Sequence, residues 1–392
     1  MDEMQKKLND YGIRVNDHPA DIPATAWDAL LAVQDCTSPF MHHAYLSAMQ
    51  DSGSAITSTG WTARFFSLWQ HDQLVAACPL YLKKHSYGEY VFDWAWANAY
   101  NQHGLNYYPK ALIAVPFTPV PGSRLLANSE EHRDMLLQAV LSWCAEEELS
   151  SLHLLFGSSK DIAACERAGL LQRQTVQFHW QNLGWSDFDA FLGSLNQEKR
   201  KKIRQERRKV AEAGVVFRHS HGVAISEADW RFFYQCYERT YLEHGNAPYL
   251  TPDFFHRMRT DMSQNWLLFI AERNGEPIAS SLIGTHELGS AQAVAYGRYW
   301  GALERVDCLH FEACYYQPLQ WCVANGVQRF EGGAQGEHKM ARALMPVSTH
   351  SAHWLADPRF SKAVEEFLNR EGRGVDNYLE HLDERNPFKR SV

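Results

Sequence analysis

The sequence lacks the patterns that mark a metal-binding or membrane-spanning protein. Its eight cysteines are scattered, with no C-x-x-C motif and no pair of histidines near them at zinc-finger spacing. Its longest apolar runs, such as residues 266–271, are too short to cross a bilayer, and the polar start MDEMQKKLND has no signal-peptide core. We therefore expect buried free thiols, no metal site, no stable membrane insertion and a cytoplasmic location.

What is present is typical of a globular protein with more than one domain. The 392 residues are 45% hydrophobic, 21% charged and 13% aromatic, a composition that excludes disordered, collagen-like and coiled-coil chains. A chain of this length favours two domains of roughly 150 to 200 residues each. The formal net charge of -8 argues against a protein that coats nucleic acid over its whole surface, but it leaves room for a local basic patch.

The order of predicted elements repeats once along the chain. In the second half, three successive strands separated by turn signals lead into a long helix over residues 309–325 and a returning strand over residues 327–331. The first half contains a shorter version of the same order. This pattern predicts an α+β fold with mixed, mostly antiparallel sheets flanked by helices.

The same pass along the chain sets the predicted domain limits. We predict a first domain over residues 1–175, a second over residues 176–365, and a tail over residues 366–392 that packs on the domains. Two helical patterns stand out, over residues 133–148 and 188–210.

Four sequence blocks point to a family. They are NQHGLNYYPKALIAVPFTPVPGSRLL at residues 101–126, EKRKKIRQERRKV at 198–210, YLEHGNAPYL at 241–250 and QRFEGGAQGEHKMARALMP at 328–346. With these blocks the chain resembles, over nearly its whole length, the FemAB-like N-acyltransferases, which are linked to peptidoglycan biosynthesis. The resemblance implies tandem acetyltransferase-like (GNAT) domains, as in the Fem ligases that move an aminoacyl group from tRNA to a cell-wall peptide precursor.

One element of coenzyme A enzymes is not visible. Their Q/R-x-x-G-x-G/A loop aims backbone N–H groups at a pyrophosphate from the N-terminus of a helix. Before the helix at residue 309 this chain has GRYWGALERVDCLH, in which Gly297 and Gly301 lie too far from the helix. Acyl-CoA and aminoacyl-tRNA both stay open as the acyl donor, and we expect no tightly bound cofactor.

The segment EGGAQGEHK combines groups that acyl transfer to an amine requires. Glu331 and Glu337 can accept the proton of the amine, and Lys339 can neutralise a developing oxyanion or a phosphate. By analogy with acetyltransferases, Tyr316 on the long helix is a candidate proton donor to the leaving group. The alternatives are an ordinary polar turn for the segment and a core position for the tyrosine.

Further residues are candidates for substrate binding. Arg298 lies in a strand amid aromatic residues, where its planar guanidinium suits a carboxylate or phosphate, and Glu312 shares a helix face with Tyr316. Prolines make the segment around residues 107–124 a rigid aromatic surface with two cations. The candidates are Tyr107, Tyr108, Lys110, Phe117, Thr118, Arg124, Tyr241, His244, Tyr249, Arg298 and Glu312. The alternatives are an exposed edge arginine, proline-rich packing between the domains and core aromatics, and for His310 we favour a structural role.

Eight of the eleven residues over 199–209 are basic. On one helix this charge covers more than a single face, which favours a binding site for a polyanion such as a tRNA acceptor stem, a nucleotide diphosphate or a lipid phosphate. The candidate polyanion-binding residues are Lys199, Arg200, Lys202, Arg204, Arg207 and Arg208. The alternative is a solvated helix paired with acidic residues elsewhere.

Two functions from different classes remain. The leading hypothesis is an N-acyltransferase that acts on a small-molecule or peptide amine in a cleft between the two domains, with acyl-CoA or aminoacyl-tRNA as co-substrate and tRNA as a potential partner. The alternative is a non-catalytic module that recognises a cell-wall precursor or another anionic ligand on a GNAT-derived fold. Binding to DNA is disfavoured, because no helix-turn-helix, zinc or aromatic stacking motif accompanies the basic run.

These two hypotheses predict different outcomes for the same substitutions. In a binding module, Glu331→Gln and Lys339→Ala leave the biological activity intact, whereas Arg204→Ala and Arg207→Ala impair it. In an enzyme, the first pair lowers the activity as well. Each variant's thermal unfolding is measured beside its activity, since only a loss of activity without a loss of stability separates chemistry from folding.

Overall fold

The chain forms two compact units. The structure, a computed structural model, describes residues 10–334, 336–383 and 386–389. Unit 1 contains the residues up to Thr175 together with Ser348–Asn377, and unit 2 contains Val176–Val347 together with the segment that starts at Tyr378. Among the described residues, no helix is both long enough and apolar enough to cross a membrane. All eight cysteines are free thiols, and five of them are buried.

Unit 1 has short strands and mostly short helices. Its strands are β1 (Tyr11–Asn16), β2 (Trp61–Ala63), β3 (Phe65–Gln70), β4 (Gln73–Cys78), β5 (Tyr81–Lys83), β6 (Lys110–Ile113), β7 (Leu126–Ala127) and β8 (Ser151–Leu155). Its helices are α1 (Ala24–Ala32), α2 (His43–Asp51), α3 (Trp94–Gln102), α4 (Glu130–Glu146) and α5 (Ser159–Arg167). Strand β9 (Leu171–Gln181) then carries the chain into unit 2.

Two groups of strands form the sheets of unit 1. Strands β1, β3, β4 and β7 form one sheet in that order, and β2, β5, β6 and β8 are successive neighbours in the other. The pairs are antiparallel except for β6 and β8, which run parallel. Leu68, Val75, Leu136 and Leu152 belong to the apolar core, which α4 closes. The proline-rich segment supplies only the four-residue strand β6, which ends before Pro116 because proline cannot donate to a sheet ladder.

Unit 2 contains longer strands. Its elements in chain order are α6 (Phe188–Ser194), α7 (Gln197–Glu212), β10 (Val215–His221), α8 (Glu227–Glu243), α9 (Pro252–Asp261), β11 (Trp266–Arg273), β12 (Glu276–His286) and β13 (Val294–Ala302). Helix α10 follows, made of Leu309–Phe311, a π-helical turn at Glu312–Tyr316 and Gln317–Ala324. The last elements of unit 2 are β14 (Arg329–Ala334) and a 3₁₀ turn at Glu337–Arg342. The chain then continues with β15 (Met345–Leu355) and α11 (Pro358–Asp383), which lie largely in unit 1.

The sheet of unit 2 has the order β10, β11, β12, β13, β14 and β9. Strands β13 and β14 are parallel, and the other neighbours are antiparallel. Trp180, Phe191, Leu267 and Phe330 are buried in the core that lies against this sheet. The α+β class predicted from the sequence, with mixed and mostly antiparallel sheets, is confirmed.

Helices α6 and α7 replace the single helix predicted over residues 188–210. The backbone is extended at Leu195, with φ -78° and ψ 155°. Asn196 then caps α7, because its side chain accepts a hydrogen bond of 3.0 Å from the backbone N–H of Lys199. The basic run therefore begins at the start of its own helix.

The C-terminal part of the chain returns to unit 1. Strand β15 pairs antiparallel with β8, so that Ser351 lies opposite Leu155 and Leu355 lies opposite Ser151. Phe360 and Val364 of α11 pack into a second apolar cluster of that unit. The segment Ser348–Asn377, which the sequence-based division splits between the second domain and the tail, therefore belongs to unit 1.

Gly301 explains why β13 and α8 can pack so closely. A Cβ atom at this position would lie 1.9 Å from the carbonyl oxygen of Cys236 in α8. Thr240 of the same helix donates a hydrogen bond of 2.9 Å to the carbonyl of Trp300. Gly301, which lies too far from the helix at residue 309 to form a phosphate loop, is thus required by backbone contact between a helix and a strand.

We expect Gly301→Ala to lower the free energy of unfolding by about 2 kcal/mol or more, because the new methyl group meets backbone atoms that cannot rotate away. Gly193→Ala is the matched control, since a Cβ there meets nothing within 4 Å and the residue is helical. It is expected to be neutral or stabilising by up to about 1 kcal/mol. Urea unfolding of both variants tests this, and equal stabilities would contradict it.

Candidate active site in unit 2

The parallel strands β13 and β14 diverge soon after they meet. They are paired only from Val294 to Tyr296 on β13 and from Arg329 to Glu331 on β14. On the other side of β13, Leu282 faces Tyr299 while Ile283 faces Gly297, so Arg298 is the additional residue of a β-bulge. The bulge bends β13 away from β14 at the point where their pairing ends.

A cavity of about 140 Å³ lies at this divergence. Its wall is made of β12, β13, α10 and β14, and the lining residues are Ser281, Ile283, Gly297, Arg298, Tyr299, Trp300, His310, Cys314, Tyr315, Phe330 and Gly332. Gly332 must be a glycine, since a Cβ atom there would lie 2.5 Å from the Leu344 side chain and 3.0 Å from the carbonyl oxygen of Phe178. Aromatic walls with a few convergent polar groups are typical of ligand sites.

The π-helical turn of α10 decides which tyrosine faces the cavity. Ser281 donates a hydrogen bond of 2.6 Å to the carbonyl oxygen of Ala313 within this turn. Tyr315 lines the cavity, and its hydroxyl is 3.3 Å from Nε2 of His338. Tyr316, which the sequence nominates as proton donor, instead donates to the carboxylate of Glu206. The tyrosine placed to act in the cavity is therefore the neighbour of the predicted one.

His310 stands in the cavity wall at the start of α10. Its ring lies 5.4 Å from that of Trp300 and 5.8 Å from that of Tyr315, both in edge-on contact. Burial lowers the pKa of His310 to about 4, and the nearby charges of His338, Arg342 and Lys339 act in the same direction. The imidazole is therefore neutral at pH 7 and can accept a proton. No signal in the sequence distinguishes this histidine from a structural one.

Lys339 lies on the 3₁₀ turn that follows β14. Only 4% of the residue is exposed, its Nζ donates a hydrogen bond of 3.1 Å to the carbonyl oxygen of Gly333, and its stem lies against Gly332. Burial lowers the pKa of Lys339 to about 8, although the Cys314 side chain acts in the opposite direction. At pH 7 the group is a cation held close to the cavity wall, as its predicted role requires.

The two glutamates of the EGGAQGEHK segment are placed differently. Glu331 alternates along β14 with the cavity-lining Phe330 and Gly332, so its side chain lies on the other face of the strand. There Oε1 accepts a hydrogen bond of 2.9 Å from Arg329, and Oε2 is 3.9 Å from Nε2 of His179. Glu337 is exposed at the start of the turn. The geometry brings neither carboxylate into the cavity.

An aromatic cluster extends from Arg298 and Tyr299. The guanidinium of Arg298 donates a hydrogen bond of 3.1 Å to the Tyr299 hydroxyl. The Tyr299 ring is 5.3 Å from that of Tyr237, which in turn is 4.9 Å from that of Tyr241. Tyr241 contacts Tyr249 at 5.4 Å. The predicted substrate-binding residues Arg298, Tyr241 and Tyr249 thus continue the aromatic wall of the cavity. The fourth candidate here, His244, is exposed and hydrogen-bonds to the carbonyl oxygen of Thr240 at 2.7 Å.

The candidates of residues 107–124 lie in the interior of unit 1. Lys110 donates to the carboxylate of Asp93 and, at 2.7 Å, to that of Glu89, and Tyr107 donates to Asp93 at 2.6 Å. Tyr108 is hydrogen-bonded to Ser86 at 2.8 Å. These polar groups have partners within the fold, so Tyr107 and Lys110 belong to a buried polar cluster, and the structure gives no separate support for the predicted aromatic binding surface.

The other candidates of this segment also make their contacts inside unit 1. Phe117 packs against Trp61 with 5.2 Å between ring centroids, and Thr118 donates a hydrogen bond of 2.9 Å to the carbonyl oxygen of Pro116. Arg124 is 1% exposed and donates to the carbonyl oxygens of Val120 and, at 3.2 Å, Leu155. Their predicted role in substrate binding gains no support from this placement.

The basic helix α7 divides its cations between two sides. Arg200, Lys201, Arg204 and Arg208 surround a concave surface together with Gln197 and Gln205. The neighbouring Lys202 is exposed, and Lys199 contacts Glu198 at 3.1 Å. Arg207 points elsewhere and pairs with Glu312 at 3.1 Å, which also accepts a hydrogen bond of 2.7 Å from Gln317. The predicted polyanion-binding residues therefore lie mainly in an outer stripe, in which Arg204 is 3.9 Å from Asp189 and Arg208 is 3.6 Å from Glu212.

No group of three or more His, Cys, Asp or Glu side chains is placed to hold a metal ion in the ranges that the structure describes. The chemistry that remains at the cavity is that of a neutral imidazole, a phenol, an ammonium group and the backbone of a bulged strand. These groups can transfer protons and stabilise an oxyanion.

Comparison with solved structures defines the fold class. FemX aligns with a TM-score of 0.54 at 10% identity, over 88% of this chain and 98% of its own. L-PGS from Bacillus licheniformis aligns with a TM-score of 0.53 at 11% identity, over 90% of this chain and 98% of its own. The C-terminal domain of a putative lysylphosphatidylglycerol synthetase from Agrobacterium fabrum gives 0.51 at 10% identity, over 88% and 95%. The predicted tandem GNAT-like fold is confirmed.

The family follows from the sequence match. The FemAB-like family model, described as peptidoglycan biosynthesis/recognition, matches residues 18–390. The chain therefore belongs to the FemAB-like family, as its resemblance predicted. Comparison with curated proteins found no match.

We expect the Lys339 ammonium to titrate with a midpoint near pH 8, charged below this value and neutral above it, because burial disfavours the charged form. NMR detection of the Nζ resonance across pH 6 to 11 tests this expectation. The reference is the ordinary lysine value of about 10.4. A midpoint of Lys339 at that ordinary value would contradict its buried placement.

Proposed function

We propose that the chain is an N-acyltransferase that moves an aminoacyl group to an amine, with the reaction in the unit 2 cavity. The observation that carries this proposal is the divergence of β13 and β14 around a cavity whose wall combines His310, Tyr315 and the bulge at Arg298. A gap between parallel strands admits the extended acyl end of a donor between two backbones. Membership of the FemAB-like family supports the same reaction class.

The proposed reaction divides its proton transfers between two groups. The amine nitrogen attacks the acyl carbonyl carbon, a C–N bond forms, and the proton released from nitrogen passes by way of the neutral His310 to solvent, because an imidazole with a pKa of about 4 does not retain it at pH 7. The bond between the acyl carbon and the donor oxygen then breaks, and the Tyr315 hydroxyl gives its proton to that oxygen. His338, hydrogen-bonded to Tyr315, is placed to restore the phenol proton.

Negative charge on the carbonyl oxygen is stabilised by Lys339 and by the backbone of the bulge. Lys339 is held by Gly333 next to the cavity wall and carries a positive charge below about pH 8. An ammonium group in a buried site stabilises an oxyanion more strongly than it does in water. This role assigns the alkaline limit of the reaction to the loss of the Lys339 proton.

Aminoacyl-tRNA is the donor that we propose. Arg200, Arg204 and Arg208 follow one another at intervals of four residues, or about 6 Å of helix rise, and form an exposed stripe suited to a phosphate backbone. The loop before α10 contains no glycine between Gly301 and Leu309, so it lacks the glycine-rich backbone that aims N–H groups at a pyrophosphate. Both observations favour a nucleic acid donor over coenzyme A.

The decisive experiment compares two labelled donors. The purified chain is incubated with tRNA charged with radiolabelled amino acids, or with labelled acetyl-CoA, and with peptides that carry a free lysine amine. Transfer from charged tRNA is expected, and His310→Gln should lower kcat by about 100-fold or more. Transfer from acetyl-CoA only would overturn the proposed donor. Binding of charged tRNA with no transfer to any acceptor would favour the non-catalytic module.

Substitutions in the outer stripe separate binding from chemistry. Arg204→Ala and Arg208→Ala should raise the KM for charged tRNA with little change in kcat, and each should reduce the slope of log K against log salt by about 1. Arg231→Ala, an exposed arginine on α8, is the matched control and should change neither value. A stripe that binds no nucleic acid would give the same salt slope for all three variants.

A further inference from the structure

Glu206 is the single acidic residue among residues 199–209, and it is only 8% exposed. A buried carboxylate is costly unless it is paired and hydrogen-bonded. Here it accepts hydrogen bonds from the Tyr316 hydroxyl and from Nη2 of Arg342, the latter at 2.9 Å. The inner face of α7 thus forms a defined polar contact, while its outer face carries the arginine stripe.

Arg342 joins three elements of unit 2. It is 2% exposed and contacts Glu206 on α7. Its Nη1 donates a hydrogen bond of 2.8 Å to the carbonyl oxygen of His338 on the 3₁₀ turn. Its guanidinium carbon lies 3.5 Å from the centroid of the Phe311 ring on α10, a cation–π contact. Movement of Arg342 would therefore break the contact of the turn with α7 and remove one of its contacts with α10.

The 3₁₀ turn carries two groups of the proposed reaction. His338 bonds to Tyr315, and Lys339 bonds to Gly333. The turn begins after Gly336 with φ 114° and ends at Ala343 with φ 63°, a left-handed conformation that is unfavourable for alanine. Such a conformation persists only where surrounding contacts hold it, and the Arg342 contacts are placed to do so.

We propose that Glu206 is a positioning residue, which acts through Arg342 to hold the turn so that His338 and Lys339 stay at the cavity. The proposal rests on the proposed function for its catalytic consequence. It also makes α7 a link between donor binding on its outer face and the order of the catalytic turn on its inner face. Tyr316 supports the same arrangement, because its hydroxyl donates a hydrogen bond to the Glu206 carboxylate.

The test uses variants that preserve shape. Glu206→Gln removes the charge that holds Arg342, and Arg342→Lys removes the hydrogen bond to the turn and the stacking on Phe311. Each is expected to lower kcat for transfer from charged tRNA by about 10- to 100-fold, with less than a threefold change in KM, because misplacement of catalytic groups affects the chemical step. Glu227→Gln, an exposed glutamate on α8 paired with Arg259, is the control and should leave kcat unchanged.

A second readout does not depend on any transfer reaction. In Glu206→Gln the looser turn admits water to Lys339, so its NMR titration midpoint should move upward from about pH 8 towards the ordinary lysine value. If wild-type protein transfers nothing, the proposed function fails while this midpoint still tests the positioning. A wild-type midpoint in folded Glu206→Gln protein would overturn the inference.

The double variant distinguishes a positioning role of Glu206 and Arg342 from a merely structural one. If both residues act as one unit, Glu206→Gln combined with Arg342→Lys should lower kcat no more than the stronger single change. Independent effects would multiply and would contradict the link through Arg342. Thermal unfolding of all variants identifies any that fail to fold, and Tyr316→Phe, which leaves the Glu206–Arg342 pair intact, serves as the milder variant with an expected loss of less than about 10-fold.

Discussion

The candidate site of this protein depends on a pairing of parallel strands that lasts only three residues. Strands β13 and β14 are joined from Val294 to Tyr296, and then the bulge at Arg298 turns one strand away from the other. Two neighbouring strands that separate leave backbone and side chains facing a gap, and here helix α10 covers that gap with His310 and Tyr315. The cavity exists because the sheet is interrupted there.

Burial then sets the protonation of the groups around the gap. It lowers the pKa of His310 to about 4 and that of Lys339 to about 8, so one side chain is a free base at neutral pH while the other is still a cation. In the same unit the buried carboxylate of Glu206 is paired with the guanidinium of Arg342. Unit 2 thus contains a neutral base, His310, a cation, Lys339, and an ion pair between Glu206 and Arg342, each with a separate physical cause.

Local pattern was sufficient to predict much of the fold. The α+β order, the helix at Glu130–Glu146, which was predicted over residues 133–148, and a strand near residue 331 can all be read from periodicity, glycine and charge. The return of β15 to β8 could not, because it pairs residues about 200 positions apart. The extended residue Leu195 within a helical pattern was equally hidden.

The site was predicted less completely, for reasons of geometry. The segment with Lys339 was recognised by its composition, but a π-helical turn has no sequence signature, and one such turn puts Tyr315 in the cavity in place of Tyr316. Pairing also escaped prediction, since Arg207 binds Glu312 and Glu331 binds Arg329. Which charges remain available to a ligand depends on neighbours that only the fold brings together.

Arg124 occupies, in unit 1, the position that corresponds to the cavity of unit 2. In unit 1 the parallel strands β6 and β8 correspond by order to β13 and β14, yet beyond their last pair the carbonyl oxygens of Leu155 and Phe156 accept hydrogen bonds from Arg124 and Gly122 of the proline-rich segment. One copy of the duplicated motif is thus closed by the protein's own guanidinium. If unit 2 is the catalytic unit that we propose, one equivalent of acyl donor should bind per polypeptide, and the duplication would supply architecture in one half and chemistry in the other.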